Sequence, residues 1–319
     1  MFQGLICLFL AALPKAQPLN KSPECLMQFI DLHCHSTASD GTLPPEEVVR
    51  LAKRNGLTGL SLTDHDTIGG VAVAAAEAAK LGIDFIPGIE ISATFPQPGT
   101  LHILGYGVDP HSPVLHDLTR GLIDARDNRN PQIIAKLNEL GVTISMRELE
   151  QQAAGGVMGR PHIAAILLRK GYVSSIKQAF DKYLGQGGLA YFDKERLEPE
   201  RAFELIHQSG GVAVLAHPIQ LRTTNDGELD RVVKDLVDLG LVGIEVIHSD
   251  HDAAWIEKCS RLADRYNLLK TGGSDFHGSN KKDINLGVAN GKKIPREWMD
   301  RLLERLHVAP GLPGKAGVV

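Results

Sequence analysis

The chain has 319 residues, of which 43% are hydrophobic and 23% are charged, and its formal net charge is −4. This composition excludes a disordered chain and allows one large α/β domain or two ordinary ones. The slightly acidic balance argues against a broad binding surface for duplex DNA and favours a small anionic ligand in a local basic pocket. Four scattered cysteines contain no CxxC pair, which suits a reducing, cytoplasmic compartment.

The N-terminal segment carries an apolar run, residues 4–13, that is too short to span a bilayer. No Lys or Arg precedes this run, so a secretory signal peptide is a weaker interpretation than a non-structural extension. Met27 stands immediately before the first strand pattern. We therefore expect residues 1–26 to lie outside the folded domain, and we expect no membrane partner.

Seven short apolar runs predict β-strands, and helical patterns separate most of them. The predicted strands cover residues 29–33, 59–64, 85–91, 101–105, 212–217, 243–247 and 268–274. Thr42 is the predicted N-cap of a first helix that ends at Gly56. An Ala-rich segment, residues 67–80, predicts a second helix that ends at Gly82. This alternation predicts an α/β fold with a mostly parallel sheet, and a distorted (β/α)7-type barrel is our first interpretation.

The link between the third and fourth predicted strands breaks this alternation. Residues 92–100 are too few and too rich in Pro and Gly for a crossover helix, so the flanking strands are expected to form a hairpin. Glu90 and His102 would then lie across from each other.

A longer interruption of the strand pattern predicts an inserted subdomain. Residues 109–198 carry helical patterns, notably over residues 115–140 and 162–170. We interpret this segment as a helical cap over the mouth of the barrel. The predicted parts are an N-terminal extension, a two-part barrel, the cap, and a C-terminal helix with a frayed tail: residues 1–26, 27–108 with 199–290, 109–198, and 291–319.

Ligand-type side chains lie at nearly every predicted strand end. His33 and His35 are two residues apart on a strand end, so their rings project from one face. Later positions add only His, Asp and Glu: Asp40, His65, Glu90, His102, His217, Asp275 and His277. Because the C-terminal strand ends of a βα barrel meet at one face, these residues are expected to converge there. Solvent-facing strand ends would not be restricted to these three residue types, so the pattern indicates a metal site.

The motifs HxH, TDHD, Glu-Ile-Ser, AHP and SDxH occur in this order over residues 29–282. They resemble the polymerase and histidinol phosphatase (PHP) family of metal-dependent phosphoesterases. A further motif, Gly159-Arg160-Pro161-His162, resembles the branch with nucleoside 3′,5′-bisphosphate phosphatases and 5′-to-3′ exoribonucleases. The resemblance implies a PHP barrel that hydrolyses the 3′-phosphate of a nucleoside 3′,5′-bisphosphate, or 5′-phosphorylated short RNA.

The resemblance also implies two to three divalent ions held by nine residues. The implied ligand sets are His33, His35, Glu90 and Asp275 for one ion, Glu90, His102 and His217 for a second, and Asp40, His65 and His277 for a third. Imidazole and carboxylate ligands without thiolate favour Mn²⁺, with Fe²⁺ or Zn²⁺ as alternatives, over Mg²⁺ alone. Such ions convert water to hydroxide and clamp phosphate oxygens, so no side-chain nucleophile is needed. Glu90 and Asp275 are therefore the expected catalytic carboxylates.

Other residues are expected to support this chemistry. Asp64 and Asp66 are expected to orient ligand imidazoles, or, for Asp66, to N-cap the following helix. His248, at the sixth strand end, is expected to contact the substrate or to protonate the leaving group. Arg160, in a loop next to glycine, is expected to hold a second, non-reacting phosphate in bidentate fashion.

The sequence gives weaker support to three further substrate-binding candidates. His162 follows Arg160 in the same motif. Arg126 and Arg129 lie three residues apart on one helix face, although exposed arginines on a surface helix are usually only solvated. Cys34 alternates to the face opposite the two neighbouring histidines and is expected to be packed in the core. The remaining histidines are interpreted as surface residues: His111, His116, His207, His251 and His307.

Two rival functions fit part of the pattern. An amidohydrolase-type enzyme also uses HxH, but it commonly has a bridging lysine where this chain has Glu90, and it leaves Asp40 and His277 unexplained. An inactive metal-binding scaffold would be expected to have lost ligands. For the phosphoesterase, the expected partner is a small phosphorylated nucleotide or a short RNA end, with no duplex DNA, no membrane and no obligate protein partner.

Overall fold

The computed structural model describes residues 27–96, 98–153, 155–193 and 196–308. In this part of the chain one sheet has the strand order β7-β6-β5-β4-β3-β2-β1-β8. The strands are β1 (Phe29–Asp31), β2 (Gly59–Leu62), β3 (Asp84–Ala93), β4 (Leu101–Tyr106), β5 (Val212–Leu215), β6 (Gly243–Ile247), β7 (Leu269–Gly272) and β8 (Ile294–Pro295). All seven predicted strands are present, whereas the two-residue β8 was not predicted. The expectations for residues 1–26 and for residues 309–319 of the tail lie outside the described residues.

Ten α-helices surround or cover this sheet in the described ranges. They are α1 (Pro45–Arg54), α2 (Val71–Leu81), α3 (Pro113–Glu139), α4 (Met146–Ala153), α5 (Arg160–Arg169), α6 (Ile176–Ala179), α7 (Pro199–Gln208), α8 (Asp226–Asp238), α9 (Ala253–Arg265) and α10 (Arg296–Val308). Among the described residues, none of the helices has both the length and the apolar character that a membrane span requires.

The sheet closes into a barrel where the chain beyond β7 meets the chain beyond β1. Asp275 N donates a hydrogen bond to His33 O (2.8 Å), and His35 N donates to Phe276 O (2.9 Å). Before this contact in the chain, Phe29 and Ile30 of β1 pair antiparallel with β8. The predicted distorted α/β barrel is confirmed, and its closing contact lies between two segments that were predicted to carry metal ligands.

The predicted hairpin is also confirmed, because β3 and β4 are antiparallel. The predicted register is wrong by two residues: Ser92 pairs with His102, and Glu90 pairs with Leu104. Glu90 and His102 still meet, with Glu90 Oε1 2.8 Å from His102 Nδ1. The reason is that positions two apart on a strand share one face, so diagonal neighbours remain within reach of long side chains.

The helix starts differ from the predictions more than the helix ends do. The helix α1 begins at Pro45 with Pro44 as its N-cap, so the N-cap predicted for Thr42 is wrong. Thr42 Oγ1 instead accepts a hydrogen bond from Ser279 N (2.9 Å), a partner distant in sequence. The predicted end of α2 is confirmed, because Gly82 adopts the left-handed backbone (φ +64°) that favours glycine at a helix end.

The helices α3 to α6 have a hydrophobic core of their own, separate from the barrel core. The 27-residue helix α3 joins the two cores, because Leu115 packs in the barrel core and Ile133 packs in the second core. We propose that this layer is the inserted cap, residues 109–198, and that residues 27–108 and 199–290 form the barrel, to which β8, beyond the expected boundary, adds an eighth strand.

The closing contact requires a glycine. An ideal Cβ at Gly273 would lie 2.2 Å from His33 Cβ and 2.4 Å from His33 N. Part of this obstacle is backbone, which cannot move aside as the end of a flexible side chain can. The absence of a side chain at Gly273 therefore allows the two strand ends to meet.

We predict that Gly273→Ala lowers the free energy of unfolding by about 1–3 kcal/mol or more, the usual cost of forcing extra volume into a packed interior. Denaturant unfolding monitored by circular dichroism measures this change. Gly121→Ala is the matched control, because Gly121 is exposed in α3 and a Cβ there meets nothing within 4 Å. The control should stabilise the protein by about 0.5–1 kcal/mol. Equal effects of both substitutions would contradict the role given to Gly273.

Candidate active site

All nine predicted metal ligands lie together at one end of the barrel. Among the residues that bring them there, three that are not glycine adopt a left-handed backbone: Asp66 (φ 55°), His217 (φ 23°) and Asp275 (φ 56°). Such conformations are uncommon in residues with a side chain, and they concentrate at functional sites.

Cys34 is fully buried in a hydrophobic cluster, as predicted.

The buried Glu90 carboxylate is the centre of the cluster. Five imidazole nitrogens lie near its two oxygens: His102 Nδ1 (2.8 Å) and His217 Nε2 (2.9 Å) at Oε1, and His65 Nδ1 (3.0 Å), His33 Nε2 (3.3 Å) and His35 Nε2 (3.3 Å) at Oε2. Glu90 Oε2, His33 Nε2 and both ring nitrogens of His35 are buried without a hydrogen bond. Buried polar atoms are normally paired. Their convergence here fits a site for cations.

Two further carboxylates lie beside Glu90. Asp275 Oδ1 is 3.2 Å from His35 Nε2 and 3.7 Å from His33 Nε2. Asp40 Oδ1 is 3.2 Å from His277 Nε2. One group whose ligand atoms all lie within 4.8 Å of one another consists of His35, Asp40, His65 and His277. The structure thus brings the predicted ligands together.

The protonation states of Glu90, His217 and His277 suit metal binding. Burial alone would raise the pKa of Glu90, but the surrounding imidazoles, His65 foremost, hold that pKa well below its ordinary value. Burial lowers the pKa of His217 to about 4 and that of His277 to about 4. The carboxylate is therefore ionised and both rings are neutral at pH 7, which are the forms that coordinate metals.

Glu245 belongs to the site, although the sequence reasoning gave it no role. Its Oε1 is 3.1 Å from His33 Nδ1, and its Oε2 accepts a hydrogen bond from His217 N (2.8 Å). A carboxylate on the far nitrogen of a ligand imidazole fixes the ring and its tautomer. The sequence pattern that could have predicted this role is a charged residue within the buried, otherwise apolar strand β6, because a buried carboxylate needs a partner.

Asp64 and Asp66 both accept backbone hydrogen bonds beside the ligand cluster, and their expected role in orienting ligand imidazoles stays a prediction. Asp64 accepts hydrogen bonds from Ser36 N (2.8 Å) and Ser36 Oγ (2.7 Å), so it orders the loop after β1. Asp66 forms an ion pair with Arg126. The N-cap interpretation of Asp66 is wrong, because α2 begins later in the chain and its N-cap is Gly70.

His248 lies at the edge of the ligand cluster, buried, with Nε2 3.4 Å from Asp275 Oδ2. His251 was expected at the surface, and this expectation is wrong. Its ring is fully buried and Nδ1 donates to Val246 O (3.0 Å), because the loop after β6 folds back over the strand. The other four histidines interpreted as surface residues are exposed: His111, His116, His207 and His307.

Four arginines line a cleft that opens onto this cluster: Arg126, Arg129, Arg160 and Arg196. Arg126 and Arg129 are buried, so the alternative that they are merely solvated on a surface helix does not hold. Arg129 Nε has no hydrogen-bond partner. Burial, followed by the charges of Arg160 and Arg126, lowers the pKa of Arg129 to about 9. The cleft therefore concentrates positive charge that lacks full compensation.

Arg160 occupies the first turn of α5, at the wall of the same cleft. Its Nη1 donates to Leu184 O (3.0 Å), and its guanidinium lies over the Tyr191 ring, 5.4 Å from the centroid. His162 is buried, and its Nδ1 accepts a hydrogen bond from Gly159 N (3.2 Å). His162 thus caps α5, which leaves only its other nitrogen for the substrate contact expected of it.

Comparison with known proteins agrees with this geometry. The PHP domain matches residues 31–239. A 5′-3′ exoribonuclease of Haemophilus influenzae is 36% identical over 77% of this chain and 89% of its own. A 3′,5′-nucleoside bisphosphate phosphatase of Chromobacterium violaceum is 36% identical over 81% of this chain and 91% of its own. A solved structure described as an amidohydrolase from Chromobacterium violaceum, with bound sulfate, has a TM-score of 0.78 at 33% identity and covers 85% of this chain and 96% of that one. The chain therefore belongs to the PHP family of metal-dependent phosphoesterases.

Proposed function

We propose that the protein hydrolyses the 3′-phosphate of nucleoside 3′,5′-bisphosphates. The observation that carries this proposal is the cleft in which four arginines stand beside the predicted metal ligands. A simple phosphomonoesterase needs one anion site, whereas this geometry offers two. The 3′-phosphate would react at the ligand cluster while the arginines hold the 5′-phosphate.

The electrostatics of the cleft support a second anion. A buried cation without an anionic partner is costly, since burial removes its hydration. Arg129 is 4% exposed, and the neighbouring arginines add like-charge repulsion. A phosphate bound between Arg129 and Arg160 would relieve both costs through charge-assisted, bidentate hydrogen bonds.

The ligand cluster is proposed to hold two to three divalent ions, with Mn²⁺ the first choice and Fe²⁺ or Zn²⁺ as alternatives. The buried, unpaired nitrogens of His33 and His35 and the neutral rings of His217 and His277 fit such ions. Bound divalent ions supply a water-derived nucleophile at neutral pH and neutralise charge on the phosphate.

The protein residues divide the remaining tasks. The two oxygens of Glu90 contact different imidazoles, Oε2 that of His35 and Oε1 that of His217, and so fix their positions relative to each other. Glu245 fixes the His33 ring. His248, beside Asp275, is the proposed proton donor to the leaving oxygen. No side-chain nucleophile is required.

Short RNA with a 5′-phosphate is the second candidate substrate. Its 5′-phosphate would use the same arginines, and the Haemophilus influenzae relative is named an exoribonuclease. The amidohydrolase alternative, which the description of the solved structure raises, is weaker, because Glu90 takes the bridging position where such enzymes commonly place lysine. Comparing a bisphosphate, a 5′-phosphorylated dinucleotide and an amide substrate under one set of conditions separates the three.

We predict that the purified protein, after loading with Mn²⁺ and removal of excess metal, retains two to three ions per chain. Elemental analysis measures this number. Chelator treatment should abolish hydrolysis of an aryl phosphate, and Mn²⁺ should restore it. One ion or none after loading would contradict the proposed number of ions.

Glu90→Gln should lower kcat by more than about a hundredfold and reduce the metal content. Loss of a residue that hydrogen-bonds to a metal ligand lowers metal affinity or activity roughly 10–100-fold. Glu90 is proposed as a ligand itself, so its replacement should have a larger effect. Steady-state kinetics with elemental analysis measures both effects. Glu139→Gln is the matched control, since Glu139 is 66% exposed on α3, paired with Lys136, and should leave both values unchanged. If the two variants behave alike, Glu90 is not at the centre of the site.

Arg129→Met and Arg160→Met should each lower kcat/KM for a nucleoside 3′,5′-bisphosphate by roughly thirtyfold or more, because removing one partner of a buried charge-assisted contact costs about 2–5 kcal/mol. Hydrolysis of a small aryl phosphate should barely change, since it lacks the second anion. Arg120→Met, at an exposed position of the same helix as Arg129, should change neither. Equal losses on both substrates would instead place the arginines at the reacting phosphate.

A further inference from the structure

A short 3₁₀ helix, Gly278–Lys281, follows the predicted ligand His277. Hydrogen bonds join this helix to the loop that carries Asp40. Ser279 N donates a hydrogen bond to Thr42 Oγ1 (2.9 Å), and Asn280 Nδ2 donates to Asp40 O (2.8 Å). These contacts join two loops that both carry predicted metal ligands. The position of the residue at the end of this 3₁₀ helix is therefore fixed relative to the site.

That residue is Lys281, and its ammonium group points back to the ligand cluster. Nζ forms an ion pair with Asp275 Oδ2. The other oxygen, Asp275 Oδ1, faces His35 Nε2 at 3.2 Å. His248 Nε2 lies 3.4 Å from the same Oδ2 that Lys281 contacts. Two nitrogen atoms, Lys281 Nζ and His248 Nε2, thus lie near the oxygen of Asp275 that does not face the predicted ligands.

Lys281 is partly exposed to solvent, whereas the carboxylate that it contacts is buried. Its side chain is 41% exposed, whereas that of Asp275 is 7% exposed. The arginine cleft is lined by Asp40, His65 and His102 on the barrel side, and Lys281 and Asp275 are not part of that lining. Lys281 therefore supplies positive charge to a different side of the centre from the cap arginines.

We propose that Lys281 is an active-site residue that binds an oxygen of the reacting phosphate, from the side of Asp275 and His248. An ammonium on a flexible stem binds phosphate as a point charge, with donors that turn toward whichever oxygen is present. The proposal rests on the proposed phosphoesterase function and adds a contact to the phosphate that reacts. It differs from the arginine contacts, which would serve only substrates with a second anion.

The ion pair with Asp275 does not by itself account for this arrangement. Ion pairs of partly exposed lysines contribute little to stability. A cation beside a metal ligand also opposes metal binding through like-charge repulsion. If Lys281 only pairs with Asp275, removing its charge should therefore change at most the metal content, and the phosphate affinity of the metal-loaded protein should stay the same.

The test compares Lys281→Met with Lys282→Met, a substitution at the exposed neighbouring position, in Mn²⁺-loaded protein. Calorimetric titration with inorganic phosphate should give a Kd raised roughly tenfold or more for Lys281→Met, as expected for one charge-assisted hydrogen bond. The kcat/KM values for an aryl phosphate and for a 3′,5′-bisphosphate should fall by a similar factor. Lys281→Arg should recover part of both losses, and Lys282→Met should match the wild type.

Metal content and thermal unfolding are measured on the same samples. The metal content of Lys281→Met should be no lower than that of the wild type. Unchanged phosphate affinity, or a loss of activity that extra Mn²⁺ restores, would overturn the proposal. If the wild-type protein hydrolyses neither substrate, the proposed function fails, and the phosphate titration still decides the role of Lys281.

Discussion

The convergence of five imidazole rings on the buried Glu90 carboxylate is the interaction on which the rest of the structure depends. An ionised carboxylate inside a barrel needs compensating charge. In the protein alone part of that charge falls on histidine, since the carboxylates outweigh burial and raise the pKa of His33 well above its ordinary value and that of His35 to about 9. Divalent ions would take over this compensation by displacing the protons. The same carboxylate thus organises the protein side chains and the proposed metal site.

Barrel closure and site formation are the same structural event. The backbone contact between His33 and Asp275 closes the sheet and aligns two predicted ligands. Asp31, buried beneath them, accepts hydrogen bonds from Ser274 N (3.0 Å) and Gly287 N (2.7 Å) and so holds the strained turn at Asp275 in place. Unfavourable backbone conformations persist where surrounding contacts over-determine them. The backbone contacts that close the barrel are therefore expected to fix the positions of the predicted ligands His33 and Asp275.

In the proposed function, the helix α3 would link substrate selection to the chemistry. One end packs in the barrel core and the other in the core of the proposed cap. Between them it places Arg126 and Arg129 at the cleft, and the ion pair of Arg126 with Asp66 anchors the helix to the loop after β2. The barrel ends would thus perform hydrolysis, while the cap would choose which phosphate-bearing molecules reach it. Replacement of cap residues could then alter specificity without disturbing the metal ligands.

The sequence by itself determined the order of seven strands, the β3–β4 hairpin and the residues that gather at the barrel mouth. Local hydrophobic pattern and turn composition set the strands, and ligand chemistry restricts the strand ends to a few residue types. Only the tertiary structure decided the partners that lie far apart in the chain. Glu245 meets His33 across 212 residues, the register of Ser92 with His102 depends on how the connecting loop folds, and His251 is buried by its own loop. Such contacts have no local signature, because they arise from where separate elements come to lie when the barrel closes.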